Sequence, residues 1–448
     1  MEKGSSLTSP STPSADEPVA PGSSSPQTLN PYGDHVFKEG GTKAWLTVVG
    51  SWLIYFATFG MLTAFGVFQS YYVQVTMKGR SPADVAWIGS LQLCLLFFTG
   101  LFVGKLFDEG YFHHIMIIGS ILEVLGLFML SISKTYTQIF LSQGVCVGLG
   151  MGFLFLPGVS VVQHHFYKKR AFANGIGATG SAIGGILFSI MLNNMFKPTS
   201  TIGFKNGVRI AAGIVAVALI IANLLMRTDI PPRKKRKVQV PIPNPAKFFT
   251  EPVFLFVLLG VSMSFLALYF PVFYIQLDAE LHGIDEDLAF YLLTVYNAVS
   301  IPGRLLPNLF ADKIGIYNVL ITCMIACAGI IVGMLGIKQD SVAAAVTVAA
   351  LYGFFSGAVI SLLTPLAPSF SKGPHEIGIR LGVIFLFIGP CGLMSGPIAG
   401  WLLGDASKPH SWHWERPIWF AFGLTLVSAA LLTVARHFLS RQLRTWRI

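Results

Sequence analysis

The chain has 448 residues, of which 53% are hydrophobic and 12% charged, with a formal net charge of +10. Soluble domains carry about 25% charged residues, so a soluble globular protein is excluded, and the cations are read against a bilayer rather than as a nucleic-acid surface. Many stretches run roughly 20 residues almost without charge, the length needed to cross a hydrocarbon core of about 30 Å.

Residues 1–36 are rich in Ser, Pro and Thr and contain no apolar run. They predict a disordered cytoplasmic tail, taken as 1–43, with no signal-peptide core. Twelve apolar segments follow, at 44–72, 84–104, 114–133, 138–162, 171–195, 208–226, 251–275, 287–309, 317–336, 343–366, 379–403 and 417–438. The segments 208–226 and 287–309 are the shortest or most polar. The expectation is an all-α membrane protein of twelve transmembrane helices in two six-helix bundles, 44–226 and 251–438. A cytoplasmic linker, 227–250, joins them, and a short C-tail, 439–448, follows.

An even number of spans places both termini on one side. With the termini inside, the inner loops and tails hold 21 Lys and Arg residues against nine in the outer loops. That bias predicts cytoplasmic termini, and the plasma membrane is the default expectation for such a multi-pass protein, with an internal compartment as the alternative. The linker contains "PPRKKRKV", which looks like a nuclear import signal, but a basic inner loop on a twelve-span protein already accounts for it. The knot Lys168, Lys169, Arg170 falls in the inner loop after span 4. It is followed by "ANGIGATGSAIGG", where small residues such as Gly175 and Gly180 let helix backbones approach closely.

Ionisable groups at bilayer depth are functional candidates. Arg304, about two-thirds along span 8, can bind an anionic solute in a central cavity, or belong to an inner gate by pairing Asp312 or snorkelling. Glu123, mid-span 3, is a proton-coupling candidate or a buried structural carboxyl. Tyr296, Asn297 and Ser300 approach one helical face with Arg304 and join it as substrate-binding candidates; Gln92 and Gln143 are further polar candidates. The five cysteines all lie within spans, and Cys323 and Cys327 share a face at i, i+4, a spacing read as packing. No phosphate loop, metal cluster or nucleophile constellation occurs. The sequence therefore predicts no enzyme and no cofactor, and a small-molecule solute moved across the bilayer, with H+ as a possible co-substrate and no required protein partner.

Motifs add a resemblance. "GKLFDEG", with Gly104 and Asp108, resembles the loop 2–3 signature of the major facilitator superfamily, without its usual trailing basic residues. "GRLLPNLFADKIG", with Gly303, Arg304 and Asp312, is its counterpart in the second half. Within that superfamily "EGGTKAWLTVVG", "FYKKRAFANGIGATGSAIGG" and "IGIRLGVIFLFIGPCGLMSGPIAGWLL" resemble the monocarboxylate-porter family, in its fungal-type branch. The resemblance covers about 37–438. It implies alternating access by two bundles, and a monocarboxylate or related organic anion moved by symport or down its own gradient. It also implies departures. The span 1 lysine of animal lactate carriers is Thr63 here, and the aspartate four residues before the span 8 arginine is Ser300. Those gaps leave open an exporter or importer of a larger metabolite, riboflavin-like or secondary-metabolite, and a sensor that binds solute without net flux.

Overall fold

The computed structural model describes residues 40–77, 82–197, 199–228, 244–338, 341–371, 373–404 and 413–447. Residues 1–39 of the predicted disordered tail and most of the linker, including its basic run, lie outside the described residues; the tail's predicted end at 43 is corrected, since Thr42 and Lys43 already belong to the first helix. Among the described residues there is no strand. Eleven helical runs are long and apolar enough to cross a membrane: α1 Thr42–Thr76, α2 Asp84–Asp108, α3 Phe112–Leu130, α4 Tyr136–His164, α5 Arg170–Phe196, α6 Gly203–Leu225, α7 Pro252–Ala279, α9 Ile316–Gly336, α10 Val342–Phe370, α11 Glu376–Leu403 and α12 Glu415–Leu443. The remaining long helix, α8 Glu286–Ile314, carries Pro302 and Pro307 and ends on Lys313. It also bears Asn297, Arg304, Asn308 and Asp312. That polar load keeps it below the hydropathy of a lipid-facing span. It is held instead by neighbouring helices, as irregular or polar helices at membrane depth must be.

The helices pack as α1–α6 and α7–α12, with α5 against α8 and α2 against α11 between the sets. The α1–α5 seam is close because a Cβ on Gly60 would meet the Gly184 backbone. With no hydrophobic force between helices in lipid, such backbone proximity is what joins them. The N- and C-terminal ends of the described chain lie at one end of the molecule, called here the terminal end. The ends of α2, α4, α8 and α10 and the starts of α5, α7 and α11 lie there too.

Two helices depart from regular geometry in the half away from the terminal end. The last turn of α1, Tyr72–Thr76, and the first turns of α4, Phe140–Val147, are wound wide, with i→i+5 bonding. The two wide segments are tied by the Tyr72 hydroxyl, which donates to Gln143 Oε1 at 2.6 Å. Wide turns of this kind concentrate where a helix must present backbone or side chains to a ligand or to motion.

Candidate functional site at the bundle interface

At the terminal end two aspartates perform matching tasks. Asp312, at the end of α8, accepts from the Ala171 and Phe172 amides of α5, both at 2.9 Å. Asp108, at the end of α2, accepts from the Gly378 and Ile379 amides of α11, at 3.2 and 2.7 Å. Each carboxylate therefore sits near the N-terminus of a helix in the opposite bundle. At α5 these are free first-turn amides, and at α11, whose helical turns begin at Pro374, they lie one turn further in; at both the positive end of the helix dipole favours an anion. The close approach needs glycine: a Cβ on Gly104 would meet the Gly378 carbonyl, and one on Gly378 would meet the Asp108 carboxylate. The sequence motifs that contain Asp108 and Asp312 thus make two matching contacts that hold the bundles together at this end.

Deeper in, Arg304 crosses the α8–α5 boundary. Its Nη1 donates to the Ala178 carbonyl at 2.6 Å and to the Ser181 hydroxyl, while Nε is buried without a hydrogen-bond partner. It does not pair Asp312, which lies eight residues away, about 12 Å along the helix axis, and holds the α5 amides instead. The Tyr55, Tyr269 and Tyr296 side chains lie within electrostatic range of the guanidinium. Around it runs a polar seam between the bundles that the sequence did not reveal. Asn174 donates to the Ser361 carbonyl at 2.7 Å, and Asn308 donates to the Ser361 hydroxyl and the Arg304 carbonyl, both at 2.6 Å. The Asn174 and Arg304 bonds cross between the bundles, the Asn308 bonds brace α8 and α10 behind them, and all lie within about three turns of the terminal end.

The α2–α11 side of the interface is aromatic. Phe97 meets Phe265 at 5.3 Å and Phe385 at 5.2 Å between ring centroids, edge to face, and Phe155 stacks on Phe385 at 5.8 Å. Phe59 touches both Phe97 and Phe155. Rings from α1, α2, α4, α7 and α11 thus form one continuous patch across the two bundles, buried against one another as the structure stands.

Several expected placements are corrected. Tyr296, Asn297, Ser300 and Arg304 do not share one face, because neighbours at i, i+1 point about 100° apart on a helix. Asn297 and Arg304 turn toward α5: a Cβ on Gly185 would lie 3.4 Å from the Asn297 amide and beside the Thr63 hydroxyl. Tyr296 and Ser300 turn toward α10 in their own bundle, where the Ser356 hydroxyl donates to Tyr296 Oη at 3.1 Å and Gly357 packs on Ser300. Gly175 and Gly180 also divide. A Cβ on Gly175 would strike the Arg304 carbonyl across the bundle interface, whereas one on Gly180 would strike the Trp52 carbonyl within the N-terminal bundle. Gly303 packs on Phe354 of α10, again within one bundle.

Arg170 opens α5, bonds the Phe166 carbonyl at 2.8 Å and lies 4.8 Å from the Tyr167 ring centroid. Glu123 is fully buried on α3, with its backbone against Gly150 of α4, and neither carboxylate oxygen has a hydrogen-bond partner. Gln92 reaches the Met151 sulfur and Gln143 holds Tyr72, both inside the N-terminal bundle. Cys323 and Cys327 are buried on α9.

One charged residue was missed. Arg380, counted from sequence among the loop cations, is wholly buried in α11 between Glu376 and Glu251. A cation next to an inner loop carries no sequence signal that separates it from an orienting charge.

These features define a multi-pass membrane transporter built of two helical bundles that close on one another at one end. The chain belongs to the Major Facilitator Superfamily, whose family model matches residues 47–389. It is 37% identical over 91% of its length to "MFS-type transporter 1" of Ophiocordyceps sp., covering 88% of that protein. It is 36% identical to the aspyridones efflux protein apdF of Emericella nidulans, over 82% of this chain and 74% of the relative. It is also 36% identical to the fujikurins efflux protein of Gibberella fujikuroi, over 89% and 83%. Among solved structures, the fucose:proton symporter FucP of E. coli superposes with a TM-score of 0.65 at 15% identity, over 87% of this chain and 97% of that one; this likeness concerns the fold. Family membership bears out the expectation of a transporter rather than an enzyme.

Proposed function

We propose that this protein exports a secondary metabolite with an acidic group on a flat, largely apolar body, by rocking its two bundles about the Arg304 seam. The observation that carries the reading is a buried guanidinium, one of its nitrogens unsatisfied, on the α5–α8 side of the bundle interface and a cluster of aromatic rings on its α2–α11 side, with Tyr55 packing on Phe155 and lying within electrostatic range of Arg304. A guanidinium offers paired donors to a carboxylate or enolate, and ring faces and edges accept a planar skeleton. Two of the relatives are named as efflux proteins, for aspyridones and for fujikurins, which supports the larger-metabolite alternative over a simple monocarboxylate. Thr63 and Ser300, in place of the charged groups of lactate carriers, point the same way.

On this reading the signature stretches support the fungal-type branch of the monocarboxylate porters, the loop charge supports cytoplasmic termini, and the plasma membrane is the default site. The terminal-end gate is then the cytoplasmic one. Asp108, Asp312, Gly104 and Gly175 close it, and Arg170 begins the helix that receives Asp312. Asn297 faces the same seam as Arg304. Glu123 is the candidate for H+ coupling, because a buried carboxyl without partners is the kind of group that can take up and release a proton.

The test is export of a labelled panel, small monocarboxylates beside larger planar acids, from cells expressing wild type or Arg304→Ala at matched surface levels. Export of a planar acid by wild type, lowered about tenfold or more in the variant, is expected from loss of a charge-assisted contact of about 2 kcal/mol. Transport restricted to small monocarboxylates, or an unchanged rate in the variant, would overturn the assignment.

A further inference from the structure

Arg380 directly follows the pair of α11 amides that hold Asp108, and its side chain points into its own bundle. Nε donates to Glu376 Oε2 at 2.9 Å, and Nη1 and Nη2 grip the two oxygens of Glu251 at 2.6 and 3.1 Å. The Phe248 ring centroid is 4.2 Å from the guanidinium carbon, and that of Phe254 is 5.7 Å away. Phe248 belongs to the short turn Pro245–Thr250, the last piece of the linker, and Glu251 follows it directly. The end of the linker is therefore fastened to the helix turn that the N-terminal bundle grips on its other side.

We propose that the Glu251–Arg380–Glu376 triad positions the first turns of α11 for Asp108, so that the strength of the α2–α11 gate depends on the attachment of the linker. Three features argue for this role. Buried ion pairs add little net stability but fix geometry, and here the hydrogen bonds of the guanidinium run to two carboxylates, Glu376 of α11 itself and Glu251 at the end of the linker. The grip on Glu251 is bidentate, which sets orientation as well as distance. The matching gate lacks the device. If Ala171 and Phe172 correspond to Gly378 and Ile379, the residue corresponding to Arg380 is Ala173, which is buried and cannot form an ion pair. The two gates are alike in their aspartates and unlike in what stands behind the receiving helix. Arg380 is on this account a positioning residue that touches no solute.

The inference rests on the transporter reading through the two-bundle motion alone, and its test needs no solute, so it can fail independently of the substrate assignment. Spin labels at Lys105 and Ser371 report the α2–α11 gate, and labels at Lys169 and Lys313 report the α5–α8 gate, in full-length protein in lipid nanodiscs. Arg380→Gln is expected to raise the long-distance population of the first pair about threefold or more, leaving the second pair as in wild type. Arg380→Lys should fall between, because an ammonium lacks the planar fork. Glu251→Gln, at a partly exposed carboxylate, breaks only the arm to the linker and should give the same selective widening if Arg380→Gln does not fold. Unchanged distances in the first pair, or equal widening of both pairs, would overturn the proposal.

Discussion

Arg304 joins the two bundles by bonding a carbonyl and a hydroxyl of α5, so replacing it does two things at once. It removes the charge offered to the solute, and it leaves the Ala178 carbonyl without that donor. Arg304→Lys keeps the charge without the fork. It is expected to retain a measurable fraction of flux while Arg304→Ala loses about tenfold or more; transport assays at matched expression check the order. Glu123→Gln is close in size and removes a group whose ionised form has no partner. Its melting temperature should be equal to or higher than that of wild type, since an unpaired buried charge is costly, while dependence of flux on an imposed pH gradient should vanish. A variant that keeps its pH dependence would return Glu123 to a structural role. Both residues were visible in the sequence, because a charge at bilayer depth stands out among apolar neighbours. Their partners were not, since a backbone carbonyl on another helix leaves no mark on composition. Arg380 was hidden for a related reason, as a cation that turns inward beside an inner loop reads like any loop cation.

Helix ends and helix seams carry the second level of the account. Asp108 and Asp312 each place a carboxylate on amides of a helix in the opposite bundle, and such a contact is worth about 1 kcal/mol, up to about 2 when partly buried. A gate held by contacts of that size is closed at rest and still opens on the timescale of transport. Asp108→Asn and Asp312→Asn should each increase the open-gate population by about fivefold, read as faster alkylation of a cysteine replacing Thr364, which is buried beside Tyr55 of the other bundle. Unchanged alkylation in both would show that the aspartates do not hold the gate. The glycines were legible as small residues for close packing, but the seam each one serves was not. Gly175→Leu collides with α8 and is expected to shift the gate while sparing expression; Gly180→Leu collides with α1 and is expected to lower folded yield. Yield and alkylation, measured on the same two variants, separate the roles.

At the scale of the whole molecule, hydropathy revealed the number of helices and their approximate ends, because the bilayer demands long apolar runs. It was least informative at α8, the polar helix at the bundle interface, since a helix that carries Asn, Arg and Pro inward no longer looks like one that faces lipid. The aromatic patch joining α1, α2, α4, α7 and α11 was equally illegible: its rings are scattered along the chain and differ in no local way from lipid-facing Phe. The closed terminal end, with its two aspartate contacts and polar seam, belongs to the three-dimensional arrangement alone. The proposed reading is a transporter whose solute meets a guanidinium and aromatic rings between moving bundles. Counterflow in proteoliposomes tests that claim most directly: purified protein, preloaded with an unlabelled planar acid, is given the labelled compound outside. Transient accumulation of label above equilibrium, abolished by Arg304→Ala in equally folded protein, is the predicted result. Saturable binding of the same acid with no counterflow would make the protein a sensor rather than a carrier and would contradict the account.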